Sequence, residues 1–329
     1  MSGESSFIAA LRAIATNIAA RNLDDDCAVL DLGTETLILT HDMMVEGVHW
    51  LRGQDPADIA WKLVAVNLSD LASKGAEPIG VLLGYSLGGD DLRFIEGLHE
   101  ALDAFDVPLL GGDTVGGGVV QAHGKTALGR ATHRPVPSRS GAKAGDGVWL
   151  TGPVGGAMLG FDVVRDGQGD PANRRAFCRP LPLLAEGRAL APLVTAMMDV
   201  SDGLLLDAAR LAEASAVTLA LDCAAIPLAE GVAAAGRADE AMRWGDDYQL
   251  LFTLPVGIQP PVPAAKIGEV CRLGAAPLLL DGAAPDPARP LGYLHRSSPY
   301  RLARLAKLRI AAPSTALRKR GRVLGADQI

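Results

Sequence analysis

Aromatic residues are scarce in this chain: Phe, Trp and Tyr make up 4% of its 329 residues. Apolar residues still reach 49%, so a core is available, but it must be aliphatic and rich in Ala and Gly. The four cysteines, Cys27, Cys178, Cys223 and Cys271, stand far apart with no CxxC or Cys/His spacing. That excludes a zinc module and reads as the reduced thiols of a cytoplasmic protein. No run approaches the roughly 18 uninterrupted apolar residues of a membrane-spanning helix. The stretch "FIAALRAIATNIAA" has no basic flank and is broken by Arg12. Its Phe7, Leu11, Ile14 and Ile18 recur at helical spacing, which predicts an amphipathic helix, not a signal peptide. Neither GxxxxGK[ST] nor GxGxxG is present, which disfavours a P-loop kinase and a dinucleotide fold. No Ser–His–Asp or Cys–His set stands out. Basic charge is also short. The net charge is −7, and residues 1–295 carry 22 basic against 37 acidic side chains. Such a body is a poor binder of nucleic acid. Residues 296–329 reverse the balance, with nine Lys or Arg and one acid, and read as a solvated helix or flexible end.

What is present fits two domains, since the length exceeds one ordinary core. Strand-like and helix-like segments alternate. "CAVLDL" and "TLILT" read as strands around a Gly33–Thr34 turn. Residues 55–75 predict a strong helix, with Asp55 as cap, Pro56 in the first turn and Gly75 at the end. Residues 132–146, with two prolines and no apolar periodicity, read as a linker. The expected division is 1–138, 139–295 and the basic tail 296–329. In the second half, helices are expected around 182–191, 203–214 and 228–243. The halves echo faintly in "NLSDLASKGA" and "DVSDGLLLDAARLAEAS"; in the first, Asn67, Asp70 and Lys74 share one helical face.

Acidic clusters punctuate both halves: "DDDCAVL", "THD", "NLSD", "GGDT", "DVSD" and "WGDDYQLLFT". Any one of these aspartates reads most simply as a cap or turn residue. Together they lie at strand ends and strand–helix junctions, which can converge on one rim. Two like charges about 4 Å apart repel by roughly 4 kcal/mol at an effective dielectric near 20. Few Lys or Arg lie beside them in sequence, so hard divalent cations such as Mg²⁺ are the expected partners, with positions left for phosphate oxygens. The glycine stretches "LLGGDT" and "TGPVGG" offer close backbone approach to such a ligand.

The order of these motifs resembles the thiamine-monophosphate kinase family, within the aminoimidazole-ribonucleotide-synthetase-like superfamily. The carrying segments run from "DDCAVL" through "LTHDMMVEGVHW", "KLVAVNLSDLASKGAEPIG", "LLGGDT", "SRSGAKAGD", "MDVSDGLLLDAARLAEAS" and "GDDYQLLFT" to "GYLH", about residues 22–295. The resemblance implies two α/β domains, the N-terminal one binding ATP and magnesium and forming a β-barrel with a second copy, and the C-terminal one an α/β sandwich. It implies ATP-dependent phosphorylation of thiamine monophosphate by in-line transfer, with positioning and several Mg²⁺ ions in place of a protein acid or base. The implied metal ligands are Asp26, Thr40, Asp42, Asp70, Asp113, Asp199 and Asp202. Gly112, Asp113, Arg139 and Ser201 fall at ATP positions, and His49, Asp246 and Tyr293 at substrate positions. The chain departs from the family at Asp24 (usually Gly), His41 (usually Thr), Asp246 (usually Glu) and Gln249 (usually an acid). The rival readings are another ATP-using enzyme of the superfamily and a non-catalytic sensor of nucleotide or thiamine phosphate. A selenophosphate-type activity expects a reactive Cys before Cys27, and a carbamoyl-dehydrating one a C-terminal Cys. The sequence supplies neither.

Overall fold

The computed structural model describes residues 3–116 and 118–295. The basic segment 296–329 lies outside the described residues. The chain builds two sheets flanked by helices, and no helix is long and apolar enough to cross a membrane.

The first sheet contains β1 (Ala28–Leu32), β2 (Glu35–Val45), β3 (Ala76–Leu87), β4 (Leu109–Gly116) and β5 (Ala122–Ala131), in the order β1-β2-β5-β3-β4. Only the β3–β4 pair is parallel. Helices α1 (Gly3–Arg12), α2 (Pro56–Ser73) and α3 (Asp91–Ala104) belong to this half. On β2, Thr36, Ile38, Thr40 and Met44 are buried, while Glu35, His41 and Met43 are exposed. This alternation marks a sheet with one covered face. The buried face packs on α2, whose Leu63, Val64, Leu68 and Leu71 are fully buried. Helix α2 begins as its sequence predicts: the Asp55 carboxylate accepts from the Ala57 amide and Pro56 follows in the first turn. Gly75, just past the helix, has φ +61, which a residue with a Cβ adopts at a cost.

The second sheet has the order β11-β8-β10-β6-β9-β7. Its strands are β6 (Gly147–Leu150), β7 (Ala196–Asp199), β8 (Val217–Leu221), β9 (Leu250–Leu254), β10 (Ala265–Arg272) and β11 (Leu278–Leu280). Helices α4 (Gly156–Asp166), α5 (Pro171–Cys178), α6 (Leu184–Leu190), α7 (Leu204–Ser215) and α8 (Ala238–Trp244) accompany it. Strands β6, β9 and the edge strand β7 are buried along their whole length. The mixed α/β class expected from the sequence is therefore present, with two open sheets and no closed barrel among the described residues.

Two local expectations are corrected. The N-terminal helix ends at Arg12, and Ile18 lies in a short 3-10 helix (Ile18–Leu23) with its side chain 95% exposed. Asn17 caps that second helix through its own side chain, and such local caps compete with helix continuation. The helix expected over 228–243 is confined to Ala238–Trp244, because residues 230–236 form turns that include Gly231 and Gly236 at positive φ.

Candidate active site

Helix α2 organises the site. Lys62, Val66 and Asp70 fall at i, i+4 and i+8, so one stripe of the helix lines a cavity of about 550 Å³ between the two sheets. Asp26, just before β1, and Asp42, on β2, reach the same cavity from the first sheet. Asp199 closes β7, and Ser201 and Asp202 follow in the turn before α7. Carboxylate oxygens of Asp26, Asp70 and Asp199 lie within 4.8 Å of one another. Thr40 donates its hydroxyl to Asp70 and Ser69 donates to Asp199 at 2.6 Å. Asn67 accepts the Asp42 amide at 3.1 Å, which fixes β2 to α2 beside the cluster. Six of the seven expected metal ligands are thus gathered at one end of one cavity.

The cluster divides electrically. Burial would raise Asp25 and Asp26, yet both are held below the usual carboxylate range by buried cations. Lys74 reaches Asp25 at 2.5 Å and Asp26 at 2.6 Å, Arg21 reaches Asp25 at 2.6 Å, and Arg139 binds Asp26 through Nε at 2.9 Å. The expectation that few Lys or Arg stand beside the acids is therefore corrected for this half: the fold brings in Lys74 and Arg139 from distant segments, and Arg21 lies four residues before Asp25. Asp202 is likewise paired with Arg210 at 2.6 Å. The other half has no such relief. Burial, then the charge of neighbouring aspartates, pushes Asp42 up to about 6 and Asp199 up to about 8, and Asp70 well above its ordinary range.

The opposite end of the cavity is aromatic and apolar, with Phe161, Phe177, Trp244 and Tyr293 among its walls. His49 enters here. Its Nδ1 accepts the Val45 amide at 3.0 Å, which leaves the proton on Nε2, and burial lowers its pKa. Asp246 accepts from the Tyr248 hydroxyl and from Lys62, both at 2.8 Å. Tyr293 is tied to the Asp202 carbonyl by its amide. Trp50, by contrast, is core, stacked on His123 at 5.3 Å between ring centres.

Gly112 and Asp113 are placed elsewhere. They lie on β4, separated from β2 by two strands, and every residue of β4 is exposed. Gly112 is required by packing, since a Cβ there would overlap the Leu83 carbonyl oxygen. His41 points to the outer face and hydrogen-bonds Thr126 at 2.8 Å.

Several residues escaped the sequence reading. Lys62 could have been found by extending the Asp70 stripe back two turns. Asp207 and Asp247 are buried aspartates with structural work: Asp207 accepts the Ser201 and Asp202 amides, and Asp247 accepts the Gly155 and Ala157 amides. The acidic pair in "GDDY" is thus one cavity residue and one cap for the glycine turn before α4. Phe161 and Phe177 carry no local signal, because an aromatic on a helix face reads as core.

Known proteins resemble this chain across both halves. Residues 24–131 match the AIR synthase related protein N-terminal domain, and residues 143–256 match the AIR synthase related protein C-terminal domain. Thiamine-monophosphate kinase of Escherichia coli K12 is 35% identical over 251 residues, 71% of this chain and 76% of that one. The enzyme of that name from Caulobacter vibrioides is 35% identical over 307 residues, 84% and 85% of the two chains. Among solved structures, AaThiL complexed with AMPPCP and TMP superposes with a TM-score of 0.79 at 27% identity, covering 87% of this chain and 95% of its own. The chain therefore belongs to the thiamine-monophosphate kinase family, a family of phosphotransferases built from the AIR synthase related N-terminal and C-terminal domains.

Proposed function

We propose that this enzyme transfers the terminal phosphoryl group of ATP directly to the phosphate of thiamine monophosphate, giving thiamine diphosphate, with magnesium held by its carboxylates. The observation that carries the reading is a single cavity with carboxylates at one end and an aromatic compartment at the other. A phosphate on a flat heterocycle has the same two-ended character. The related structure with AMPPCP and TMP supports the same pair of substrates.

Magnesium fits the donor set. Every side chain offered is an oxygen donor, and burial and mutual repulsion, with no protein cation set against them, push Asp42, Asp70 and Asp199 upward; a bound cation would return them to the charged form. Asp26, Thr40, Asp42, Asp70, Asp199 and Asp202 would hold it. When bound, it would neutralise the donor and acceptor phosphates that otherwise repel. Arg139 presents a planar guanidinium to the ATP phosphates, oriented by Asp26, and Ser201 faces the same end. His49, Asp246 and Tyr293 orient the acceptor ring. The attacking phosphate oxygen is already ionised at neutral pH, so no protein base is needed, and catalysis rests on positioning and charge.

The reading includes a homodimer. Strand β1 covers β2 only over residues 35–39, so the outer edge of residues 40–45 has no strand partner among the described residues. Strand β4 has a free edge too, with Leu109, Leu110 and Val115 exposed beside Met43 and Leu82 of the same sheet. Pairing β4 of each copy with the β2 edge of the other would close a barrel and cover this apolar face. It would also bring Asp113 of the partner subunit to Thr40 and Asp42, which accounts for a ligand placed so far from the cluster in its own chain.

The decisive assay offers ATP with thiamine monophosphate or free thiamine, with Mg²⁺ or with EDTA. The expected outcome is thiamine diphosphate from the monophosphate alone, abolished by EDTA. No thiamine diphosphate, or equal phosphorylation of free thiamine, would overturn the reading.

A further inference from the structure

Lys62 is fully buried on α2, yet it lines the cavity at its aromatic end. Its ammonium donates to the Asp246 carboxylate at 2.8 Å and to the His49 carbonyl at 3.1 Å, and lies 4.0 Å above the Phe177 ring. These partners come from three separate segments: the turn after β2, helix α5 and the turn before β9. Asp246 itself is strained. Its φ is +60, it follows Gly245 at +92, and Tyr248 two residues on is at +50. Strained backbone of this kind persists when its surroundings over-determine it. Here the Asp246 amide is held by the Ser201 carbonyl, one carboxylate oxygen by Tyr248 and the other by Lys62. Each carboxylate oxygen keeps a second lone pair for another donor. The eight helical steps from Lys62 to Asp70 span about 12 Å along the helix axis, which matches a compact heterocycle carrying a short phosphorylated arm.

We infer that Lys62 is a positioning residue for the acceptor: it fixes the Asp246 carboxylate toward the acceptor ring while neutralising its charge. This rests on the phosphotransfer reading above and deepens it. The Lys62–Asp246 pair presents the ring with a hydrogen-bond acceptor and no net charge. The compartment therefore selects a heterocycle with an amino donor on its rim, and leaves any ring cation to the faces of the aromatic walls. Because Asp246 is shorter than the Glu usual at this position, anchoring by Lys62 decides where its oxygens sit.

The test is steady-state kinetics on the full chain with Lys62→Met, Lys62→Arg, Asp246→Asn and the Lys62→Met/Asp246→Asn pair, each checked for folding by thermal melting. The expected result for Lys62→Met is a KM for thiamine monophosphate raised roughly tenfold or more, with KM for ATP unchanged within about twofold. Lys62→Arg should recover part of the loss. In the Asp246→Asn background, Lys62→Met should add nothing, because Lys62 acts through that carboxylate. The double variant leaves no unpaired charge, so it keeps the test open if Lys62→Met alone fails to fold. Equal rises in both KM values, an unchanged KM for the monophosphate, or additive effects in the double variant would overturn the inference. If the wild-type chain itself makes no thiamine diphosphate, the functional reading falls first and this inference with it.

Discussion

At the scale of single residues, the site depends on which buried charges have partners. Asp25 and Asp26 are matched by Lys74, Arg21 and Arg139, whereas Asp42, Asp70 and Asp199 are not. Asp70→Asn should keep the fold, since an amide fills the same space and can still accept from Thr40, but lower kcat by about two orders of magnitude or more. Circular dichroism with a product assay checks both halves of that statement. A different residue tests burial alone. Lys125 on β5 is fully buried, and its ammonium nitrogen has no hydrogen-bond partner among the described residues. Burial lowers its pKa from 10.5 to about 7. Between those values the unfolded chain binds a proton that the folded chain does not, so this group makes stability rise with pH across that window. Its cost is fully present below about 7. Lys125→Met should therefore stabilise the chain by roughly 2 kcal/mol or more at neutral pH, with the gain fading above about pH 10. A drop in Tm at pH 7 would show that the ammonium has a partner of its own in the folded chain.

At the scale of elements, α2 and β4 carry the strongest demands. Helix α2 touches both ends of the cavity, and its caps and apolar face are set locally. Strand β4 depends on a glycine instead. A Cβ at Gly112 would strike the backbone oxygen of Leu83 on the neighbouring strand, which cannot rotate away as a side chain could. Gly112→Ala should cost about 1–3 kcal/mol by forcing the parallel β3–β4 pair apart, read as a lowered Tm. A neutral result would mean that β4 shifts freely on the sheet edge. The helix and strand assignments that held, such as residues 55–75, were those with a cap, a period and a stop agreeing. The N-terminal helix had the period alone, and Asn17 interrupted it with a cap of its own.

At the scale of the whole molecule, the two sheets place the cavity between them, and the first sheet leaves two edges open. If Asp113 serves the partner subunit, Asp42→Asn and Asp113→Asn chains are each inactive but complementary. In a mixed dimer one site carries both lesions and the other carries neither. Mixing the two after dissociation should restore about a quarter of wild-type activity, since half the dimers are mixed and each has one intact site. No recovery, with mixed dimers shown to form, would place Asp113 outside the partner's site.

The alternating segments and the acidic motifs by themselves determined the mixed α/β class and the family resemblance, and that resemblance implied, Asp113 apart, the carboxylates that meet in the cavity. They did so because strand ends and helix starts are fixed by local rules, and such ends converge on a rim. Only the tertiary structure decided which of those acids are neutralised. Lys74 and Arg139 reach Asp25 and Asp26 across folds of the chain that no local pattern records. It also decided that Asp247 is a cap while its neighbour Asp246 faces the cavity, that Lys62 holds Asp246, and that Asp113 stands apart from the cluster in its own chain. Charge pairing depends on distance in space, and a sequence fixes that distance only within a helical turn or a strand pair.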